Sequence, residues 1–286
     1  MASETWTVRR LLEWTEDFLR KKGFESPRLE AQILLAHALG CKKIDLYVRF
    51  SEEPSEEKRT VFREIVKRRS EGTPVAHLVG HCEFYSLSFA VSPDVLIPRP
   101  ETETLVMEAL RLLKPLAAPR VLDLGTGSGC IALTIAKQHK SSRVTAVDIS
   151  PKALAIARGN AEHHGVAERV TFLEGDLFAP VAVQTFDLIV SNPPYIAHAE
   201  FPTLDPGVRD FEPRSALDGG PDGLEFYRRL AAEAGQFLNP SGTILVEIGS
   251  TQEESVRALF AERMKVGNTI RDLGGRPRVI AAQRRE

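Results

Sequence analysis

The strongest constraint on the fold of this chain is a regular alternation of short apolar runs with helical segments through its second half. The apolar runs predict five strands, at residues 120–124, 143–148, 170–174, 186–191 and 243–248. Helices are predicted around these strands, near residues 129–138, 151–164, 223–238 and 252–260. Alternation of this kind builds βαβ units, so the sequence predicts an α/β fold whose mostly parallel sheet has helices on both faces.

Two further strands are predicted at the end of the chain. Residues 266–271 and 277–282 flank Gly274 and Gly275, a pattern typical of a β-hairpin. Because a hairpin is antiparallel, one of its strands must run against the others. The expected sheet therefore has seven strands, one of them reversed.

The first part of the chain has helical spacing and no strand-like runs. Residues 8–22, 28–39 and 55–69 predict three helices, the first two of which are followed by glycine. We therefore predict three segments along the 286 residues, namely an N-terminal helical substrate-recognition domain at 1–77, a β-hairpin linker at 78–95 and an α/β domain at 96–286.

Composition narrows the classes of function. The formal net charge is −2, which argues against a general nucleic-acid-binding surface. The cysteines, Cys41, Cys82 and Cys130, lie far apart without metal-ligand spacing, so we expect a reducing compartment and no metal site. The first twenty residues carry too many charges for a signal-peptide core, and no apolar run approaches the ~20 residues of a membrane span. We therefore expect a soluble, cytoplasmic protein.

The first predicted strand of the α/β domain runs into a glycine-rich loop. This loop reads Asp123-Leu124-Gly125-Thr126-Gly127-Ser128-Gly129-Cys130. Glycines allow the backbone to turn sharply and to approach a ligand closely. The dinucleotide fingerprint is absent, because cysteine stands where its last glycine is required. An acid before the loop would repel a pyrophosphate, but it can accept hydrogen bonds from an ammonium group.

Two more acids follow the next two predicted strands. Asp148 is placed to bind ribose hydroxyls, while Asp176 and the amide of Leu177 are placed to face an adenine ring. Either acid alone is equally well explained as a helix cap. Three sites after three successive strands favour a ligand with an amino-acid head, a ribose and an adenine but no phosphate, which is S-adenosylmethionine. The predicted cofactor-binding residues are Asp123, Gly125, Thr126, Gly127, Ser128, Gly129, Asp148, Asp176, Leu177 and Asn192.

The fourth predicted strand is followed by the motif Asn192-Pro193-Pro194-Tyr195, at the end of the sheet where open α/β folds bind ligands. Consecutive prolines stiffen the loop and leave carbonyl acceptors, while Asn192 adds a side-chain oxygen and Tyr195 a flat ring. Such a set suits a planar group that donates two N–H bonds, as an amide or an aromatic amine does. The structural alternative is a Pro-Pro turn beside a packed tyrosine.

In this order, the loop, the acids and the motif resemble class I S-adenosylmethionine-dependent methyltransferases. More closely, the chain resembles the PrmC/HemK family, which methylates the N5 atom of glutamine in peptide chain release factors. The resemblance covers the chain from about Gly80 to its end and rests on residues 97–103, 121–130, 147–151, 191–195 and 212–224. One departure is Phe211, which keeps the ring but lacks the hydroxyl of the tyrosine usual in the family.

The resemblance also implies roles for particular residues. The catalytic residues would be Asn192, Pro193 and Tyr195. The target glutamine would be bound by Asn192, Pro193, Pro194, Tyr195, Arg99 and Glu101, although surface ion pairs are the alternative for the last two. The cofactor would be S-adenosylmethionine, and the partner would be the Gly-Gly-Gln loop of class I release factors. The family suggests a monomer that contacts neither membrane nor nucleic acid directly.

Three other functions fit part of this sequence. Adenine-N6 methyltransferases of DNA or RNA share the Asn-Pro-Pro-Tyr motif, but they need a basic surface to grip phosphates. Glutamine methyltransferases of ribosomal proteins are a second possibility, although they usually depart from the Pro-Arg-Pro-Glu-Thr-Glu segment found here at 98–103. A non-catalytic cofactor-binding scaffold is a third, and the intact motif argues against it.

Overall fold

The structure is a computed structural model that describes residues 5–285. The predicted segments 1–77 and 96–286 also include residues 1–4 and 286, which lie outside the described part. The chain forms two compact units. The first extends to Gly80 and includes Pro206–Phe211, and the second consists of His81–Asp205 and the chain from Glu212 onward.

The first unit is a small helical bundle. Its helices up to Gly80 are α1 (Val8–Lys21), α2 (Pro27–Leu39), α3 (Asp45–Val48), α4 (Glu56–Ser70) and α5 (Val75–Val79). The side chains of Thr7 and Ser55 cap α1 and α4 by accepting hydrogen bonds from backbone amides. Leu34, Leu46 and Phe62 are among the buried residues of its core. The three predicted helices are confirmed. The short helices α3 and α5 were not predicted, because one turn is too short to show a hydrophobic period.

The second unit contains the remaining strands and most of the remaining helices. Its strands are β1 (His81–Phe84), β2 (Leu87–Ala90), β3 (Arg120–Leu124), β4 (Arg143–Asp148), β5 (Val170–Glu174), β6 (Phe186–Ser191), β7 (Leu238–Glu247), β8 (Met264–Val266), β9 (Ile270–Arg271) and β10 (Pro277–Arg284). The helices after α5 are α6 (Glu103–Leu113), α7 (Cys130–Gln138), α8 (Pro151–His163), α9 (Pro206–Arg209, in the first unit), α10 (Glu225–Phe237) and α11 (Glu253–Ala261).

The main sheet has the strand order β5-β4-β3-β6-β7-β10-β8, with the short β9 paired to β10. Strands β3 to β7 run parallel, and β10 is antiparallel to β7, β8 and β9. The predicted α/β sheet and its single reversed strand are therefore confirmed. The sheet has eight strands rather than the seven predicted, because the segment expected to form one strand at 266–271 forms two short strands, β8 and β9. From β3 the next strands, β4 and β5, are added on one side, and β6 and β7 are added on the other. An open sheet of this type forms its ligand crevice at such a reversal of strand order, here between β3 and β6.

Alternate residues of the parallel strands pack on opposite faces of the sheet. Val121 and Leu188 belong to a core shared with α6, α7 and α8, and Leu122 and Ile189 belong to one shared with α10 and α11. Burial on both faces explains the unbroken apolar runs that predicted these strands.

Two boundaries differ from the prediction. Strand β7 begins at Leu238 rather than at residue 243, and it includes Pro240 and Gly242. A Cβ at Gly242 would lie 2.9 Å from the carbonyl oxygen of Phe186 on the neighbouring strand, so this breaker residue permits close pairing. The predicted linker hairpin is β1 and β2, which belongs to the second compact unit. Among residues 5–285, the structure has no helix long and apolar enough to cross a membrane.

Candidate active site

The loops after β3, β4, β5 and β6 surround one cavity of the second unit. Eight of the predicted cofactor-binding residues line it, namely Gly125, Thr126, Gly127, Ser128, Asp148, Asp176, Leu177 and Asn192. Arg99 and Pro194, predicted to bind substrate, line it as well. Asp123, Gly129, Glu101, Pro193 and Tyr195 are not among the lining residues. The structure thus brings most of the predicted site to one place.

The glycine-rich loop lies between β3 and α7. Gly125 and Gly127 have φ angles of 73° and 55°, in the left-handed region that favours glycine. The space a Cβ would occupy at either position is open, so a ligand can approach the backbone there. The amides of Gly125 and Thr126 donate to the carbonyl oxygen of Val147, at 2.9 and 3.0 Å. The loop is thereby tied to the end of β4.

Asp123 lies beneath this loop rather than in the cavity. Its Oδ2 accepts hydrogen bonds from the Thr126 hydroxyl at 2.7 Å and from the Ala132 amide at 3.2 Å. Within the described part of the chain, its Oδ1 is buried without a hydrogen-bond partner. Burial raises the pKa of Asp123 to about 7, against the lowering effect of these hydrogen bonds. The carboxyl therefore holds the loop, and its predicted contact with an ammonium group stays a prediction.

Asp148 ends β4 and lines the cavity. Its Oδ2 accepts from the Gly127 amide at 2.8 Å, and its Oδ1 accepts from the Ser150 amide at 2.9 Å. The residue that caps α8 is Ser150, whose hydroxyl accepts from the Ala153 amide. Each carboxylate oxygen of Asp148 retains a lone pair, so the side chain can still accept hydrogen bonds from two hydroxyls of a ligand.

The loop after β5 forms the next part of the wall. Leu177 is buried and has a φ of 48°, which is uncommon for a residue with a side chain. Asp176 is half exposed and pairs with Arg229 at 2.7 Å. Ile149 and Phe226, which sequence reasoning missed, add apolar surface to the same cavity. An apolar slot with polar atoms at its edge suits a flat heterocycle.

The Asn-Pro-Pro-Tyr motif directly follows β6. Ser191 anchors the strand end, since its hydroxyl donates to the carbonyl oxygen of Leu124 at 2.8 Å. The side-chain Nδ2 of Asn192 donates to the Thr102 hydroxyl oxygen at 3.2 Å, which leaves Oδ1 as the acceptor available to a ligand. Tyr195 packs against the core of the α10 face, and burial raises the pKa of its phenol.

The Gln252 side chain holds the backbone at the end of this motif. Its Nε2 donates to the carbonyl oxygens of Tyr195 at 3.0 Å and Gly223 at 3.1 Å, and its Oε1 accepts from the Gly249 amide at 3.0 Å. One side-chain amide therefore forms hydrogen bonds with three backbone groups, one from each of three loops. Sequence reasoning missed this residue, because it lies 57 positions from Tyr195 along the chain.

Arg99 forms an ion pair at the edge of the cavity, and its predicted contact with the substrate stays a prediction. It lines the cavity, and its guanidinium pairs with the buried carboxylate of Glu212. Glu212 also accepts a hydrogen bond from the Ile97 amide at 3.0 Å. The pair joins the segment before α6 to the chain that follows α9 in sequence.

Burial raises the pKa of the Cys130 thiol to about 12, which disfavours a thiolate nucleophile.

Glu247 is a further acid that sequence reasoning missed, although it also stands at the end of a strand. It is 2% exposed, and burial raises its pKa to about 7 against the lowering effect of a hydrogen bond with Thr102. Its Oε2 is buried and has no hydrogen-bond partner within residues 5–285. Thr102 therefore lies between Glu247 and Asn192.

The chain is similar to known sequence families, to individual proteins and to solved structures. The model of the PrmC N-terminal domain matches residues 10–80, and that of the methyltransferase small domain matches residues 102–204. A release factor glutamine methyltransferase of Rhodopirellula baltica is 52% identical over 98% of this chain and 97% of its own. One of Geobacter sulfurreducens is 49% identical over 90% of this chain and 89% of its own.

Solved structures share the fold at low sequence identity. A methyltransferase from Pyrococcus furiosus superposes with a TM-score of 0.52 and 20% identity, over 76% of this chain and 96% of its own. The hMettl16 catalytic domain, solved with the MAT2A 3′UTR hairpin 6, superposes with a TM-score of 0.58 and 15% identity, over 78% of this chain and 83% of its own.

Proposed function

Because this chain belongs to the family of release factor glutamine methyltransferases, we propose that it methylates the side-chain amide nitrogen N5 of a glutamine in a peptide chain release factor. The methyl donor is S-adenosylmethionine. The observation that carries this proposal is the Asn192 amide, whose nitrogen is engaged by Thr102 while its oxygen is left to accept an N–H group at the cavity.

The residues around the cavity fit this cofactor. The open backbone at Gly125 and Gly127 leaves room for the methionine part, and Asp148 retains lone pairs for two ribose hydroxyls. Leu177, Ile149 and Phe226 would enclose the adenine ring. The acidic side chains at this rim disfavour phosphates, which agrees with a cofactor that has none.

The target glutamine would be held by the motif after β6. The Asn192 Oδ1 atom and the Pro193 carbonyl oxygen would accept the two N–H bonds of the amide, and Pro194 and Tyr195 would restrict its plane. An amide nitrogen is a poor nucleophile because its lone pair is delocalised into the carbonyl group. Fixed acceptors stabilise the positive charge that develops on this nitrogen during the reaction. They also hold it in line for attack.

The transfer is a single displacement. When bound, S-adenosylmethionine supplies the methyl group, whose bond to sulfur breaks with the electron pair going to sulfur as the nitrogen–carbon bond forms. The nitrogen then loses one proton to water. Asn192 and Pro193 would orient the nitrogen for this displacement.

We further propose that the target lies in the Gly-Gly-Gln loop of class I release factors, and that residues 1–77 serve as the recognition domain. The match of the PrmC N-terminal domain model to residues 10–80 supports a family-specific role for this helical unit. Arg99 and Glu101 would contact the substrate at the edge of the site. An adenine-N6 methyltransferase is disfavoured, because the net charge of −2 provides little general attraction for phosphates.

The test is methyl transfer from labelled S-adenosylmethionine to three acceptors, namely a purified bacterial release factor, its Gly-Gly-Gln→Gly-Gly-Ala version and duplex DNA. We expect label in the unmodified release factor alone, with one methyl group per chain. Label in the alanine version would move the target to another residue. Label in DNA, or in none of the three, would overturn the proposed function.

A further inference from the structure

The Asn192 side chain is chemically ambiguous until something determines its orientation. A side-chain amide has an acceptor oxygen at one corner and a donor nitrogen at the other, and the two are nearly equal in shape. Rotation of the Asn192 amide by half a turn about its Cβ–Cγ bond would present N–H groups to the target instead of an oxygen. The target amide nitrogen donates hydrogen bonds, so only one of the two orientations can bind it.

We propose that Thr102 is a positioning residue that holds the Asn192 amide with its oxygen toward the target glutamine, and that Glu247 in turn orients the Thr102 hydroxyl. This inference rests on the proposed function of Asn192. It adds to that function Thr102, which lines the cavity, and Glu247, neither of which has a contact with substrate or cofactor in the mechanism above.

The first step is the contact between Thr102 and Asn192. Thr102 ends the 3₁₀ turn Pro100–Thr102 immediately before α6, lines the cavity and is 2% exposed. Its Oγ1 accepts a hydrogen bond from the Asn192 Nδ2 at 3.2 Å. The turn is itself held, because the Thr102 amide donates to the carbonyl oxygen of Arg99 at 3.1 Å.

The second step concerns the single proton of the Thr102 hydroxyl. A hydroxyl that donates its single proton toward the Asn192 amide can bind only the amide oxygen. A hydroxyl that donates its proton elsewhere presents its own oxygen and can bind only the amide nitrogen. The Glu247 carboxyl faces Thr102 and has a buried oxygen without a hydrogen-bond partner among the described residues. When a carboxyl oxygen of Glu247 accepts a hydrogen bond from the Thr102 hydroxyl, the Thr102 oxygen is left as an acceptor. It then binds the Asn192 nitrogen and rejects the Asn192 oxygen.

The arrangement is therefore a relay of orientation, from Glu247 at the end of β7 through Thr102 before α6 to Asn192 after β6. Three elements that are distant in sequence must meet for it to exist. Since Asn192 keeps its Cα and Cβ positions whichever way its amide turns, loss of the relay should impair chemistry without displacing the cofactor loop.

The experiment uses the full-length enzyme with Thr102→Val, which keeps the shape of the side chain and removes the hydroxyl. We expect kcat on the release factor to fall about 10- to 100-fold, the scale of a misplaced reacting group. The Kd of S-adenosylhomocysteine should stay within about twofold of the wild-type value. Thr102→Ser, which restores a hydroxyl, should recover most of the activity. Thr134→Val is the matched control, because Thr134 is also buried and its hydroxyl has no hydrogen-bond partner within the described chain.

A second readout reports amide orientation itself. A release factor whose target glutamine is replaced by glutamate presents acceptor oxygens, which the wild-type Asn192 oxygen repels. In Thr102→Val the amide is free to turn its nitrogen toward that carboxylate, so this release factor should become a several-fold stronger competitive inhibitor. A merely structural role for Thr102 would weaken binding of both release factors alike.

Three results would overturn the inference, namely wild-type turnover in Thr102→Val, failure of Thr102→Ser to recover activity, or equal weakening of cofactor and substrate binding. These are distinguishable from failure of the proposed function, in which the wild-type enzyme itself leaves the release factor unlabelled. In that case the inference falls together with the function on which it rests.

Discussion

At the scale of single residues, the site depends on side chains that hold other groups in place as much as on those that face the cavity. Asn192 is the residue on which the chemistry turns, since it faces the cavity and its nitrogen is already bound by Thr102. Asp123, in contrast, does not line the cavity, and its carboxyl group holds the glycine-rich loop through hydrogen bonds.

The first prediction concerns Asn192. Asn192→Ala removes the acceptor oxygen, so we expect kcat to fall at least about 100-fold, the usual effect of losing one preorganised dipole. Cofactor affinity should weaken only moderately, because the contacts of Asp148 and the glycine-rich loop remain. Steady-state methyl transfer and calorimetric titration with S-adenosylhomocysteine measure the two effects. Near-wild-type turnover would sink the proposed role of the amide.

The second prediction concerns Gly129, the residue immediately before α7. Its φ is 82°, and a Cβ there would lie 2.9 Å from Leu133 Cδ1 and 3.2 Å from Ala157 Cβ. Gly129→Ala should therefore lower the free energy of unfolding by about 1–3 kcal/mol, through strain and overpacking.

The matched control for this prediction is Gly159→Ala. Gly159 lies within α8, has an ordinary helical φ, and would place its Cβ in open space. Alanine there should raise the free energy of unfolding by about 0.5–1 kcal/mol, because glycine is a poor helix former. Equal effects of the two substitutions in urea denaturation would contradict this account of the loop.

At the scale of elements, the active-site loops are held by hydrogen bonds to residues of other elements. The motif after β6 is clamped at one end by Thr102 and at the other by Gln252, which lies just before α11. Two rigid points on either side of Pro193 and Pro194 limit the ways in which the motif can move. A loop held in this manner can keep a reacting amide within the narrow geometry that displacement requires.

The third prediction tests the clamp at this scale. Gln252→Glu keeps the size of the side chain but replaces two donors by an oxygen facing the carbonyl oxygens of Tyr195 and Gly223. We expect kcat/KM for the release factor to fall at least about tenfold, because the loop must shift to relieve the repulsion. Methyl transfer at subsaturating release factor measures the ratio directly.

Gln184→Glu serves as the control for charge and composition. Gln184 accepts a hydrogen bond from Arg120 at 2.9 Å in an exposed contact, and a carboxylate accepts that bond at least as well. The control should therefore retain wild-type kcat/KM. If both variants behaved alike, the clamp would have no part in catalysis.

At the scale of the whole molecule, two buried acids couple stability to pH. The pKa values of Asp123 and Glu247 are both raised to about 7, in each case chiefly by burial. The charged and titratable groups that face Asp123 are Asp148 and Cys130, and those that face Glu247 are Arg99, Glu101, Arg278, Tyr195, Tyr227 and Cys130. In an unfolded chain, the pKa values of the Asp123 and Glu247 carboxyl groups are near 4.

The sign follows from linkage. Between about pH 4 and pH 7 the folded protein keeps protons that the unfolded chain has released, so these groups contribute stability at low pH. That contribution is lost as the pH rises through 7. We therefore expect Asp123→Asn to reduce the fall in Tm between pH 6 and pH 8 by at least about 2 °C relative to the wild type.

The control for this fourth prediction is Asp222→Asn. Asp222 is exposed, and a hydrogen bond with Arg228 is the main cause that lowers its pKa to about 2, so it does not titrate between pH 6 and pH 8. Its variant should show the same difference in Tm as the wild type. Differential scanning calorimetry at the two pH values makes the comparison. An unchanged difference in Asp123→Asn would mean that Asp123 is ionised throughout this range.

The sequence by itself determined the class of fold and the position of the crevice. Strands, the glycine-rich loop and the acids at strand ends are local patterns, and parallel strands necessarily bring their carboxyl ends to one edge. This is why Gly125, Asp148, Leu177 and Asn192 could be assigned to one site from the sequence, and the structure places all four around one cavity. The helices of the first unit could also be predicted from the sequence, apart from the single turns α3, α5 and α9.

Only the tertiary structure decided which buried side chains serve the residues at the cavity. Thr102 is 90 positions from Asn192, and Gln252 is 57 positions from Tyr195. No periodicity or motif links such distant groups. It also decided that Asp123 supports the loop from beneath instead of lining the cavity. The physical reason is that a hydrogen bond depends on distance and direction between side chains, which are determined only when separate elements pack together.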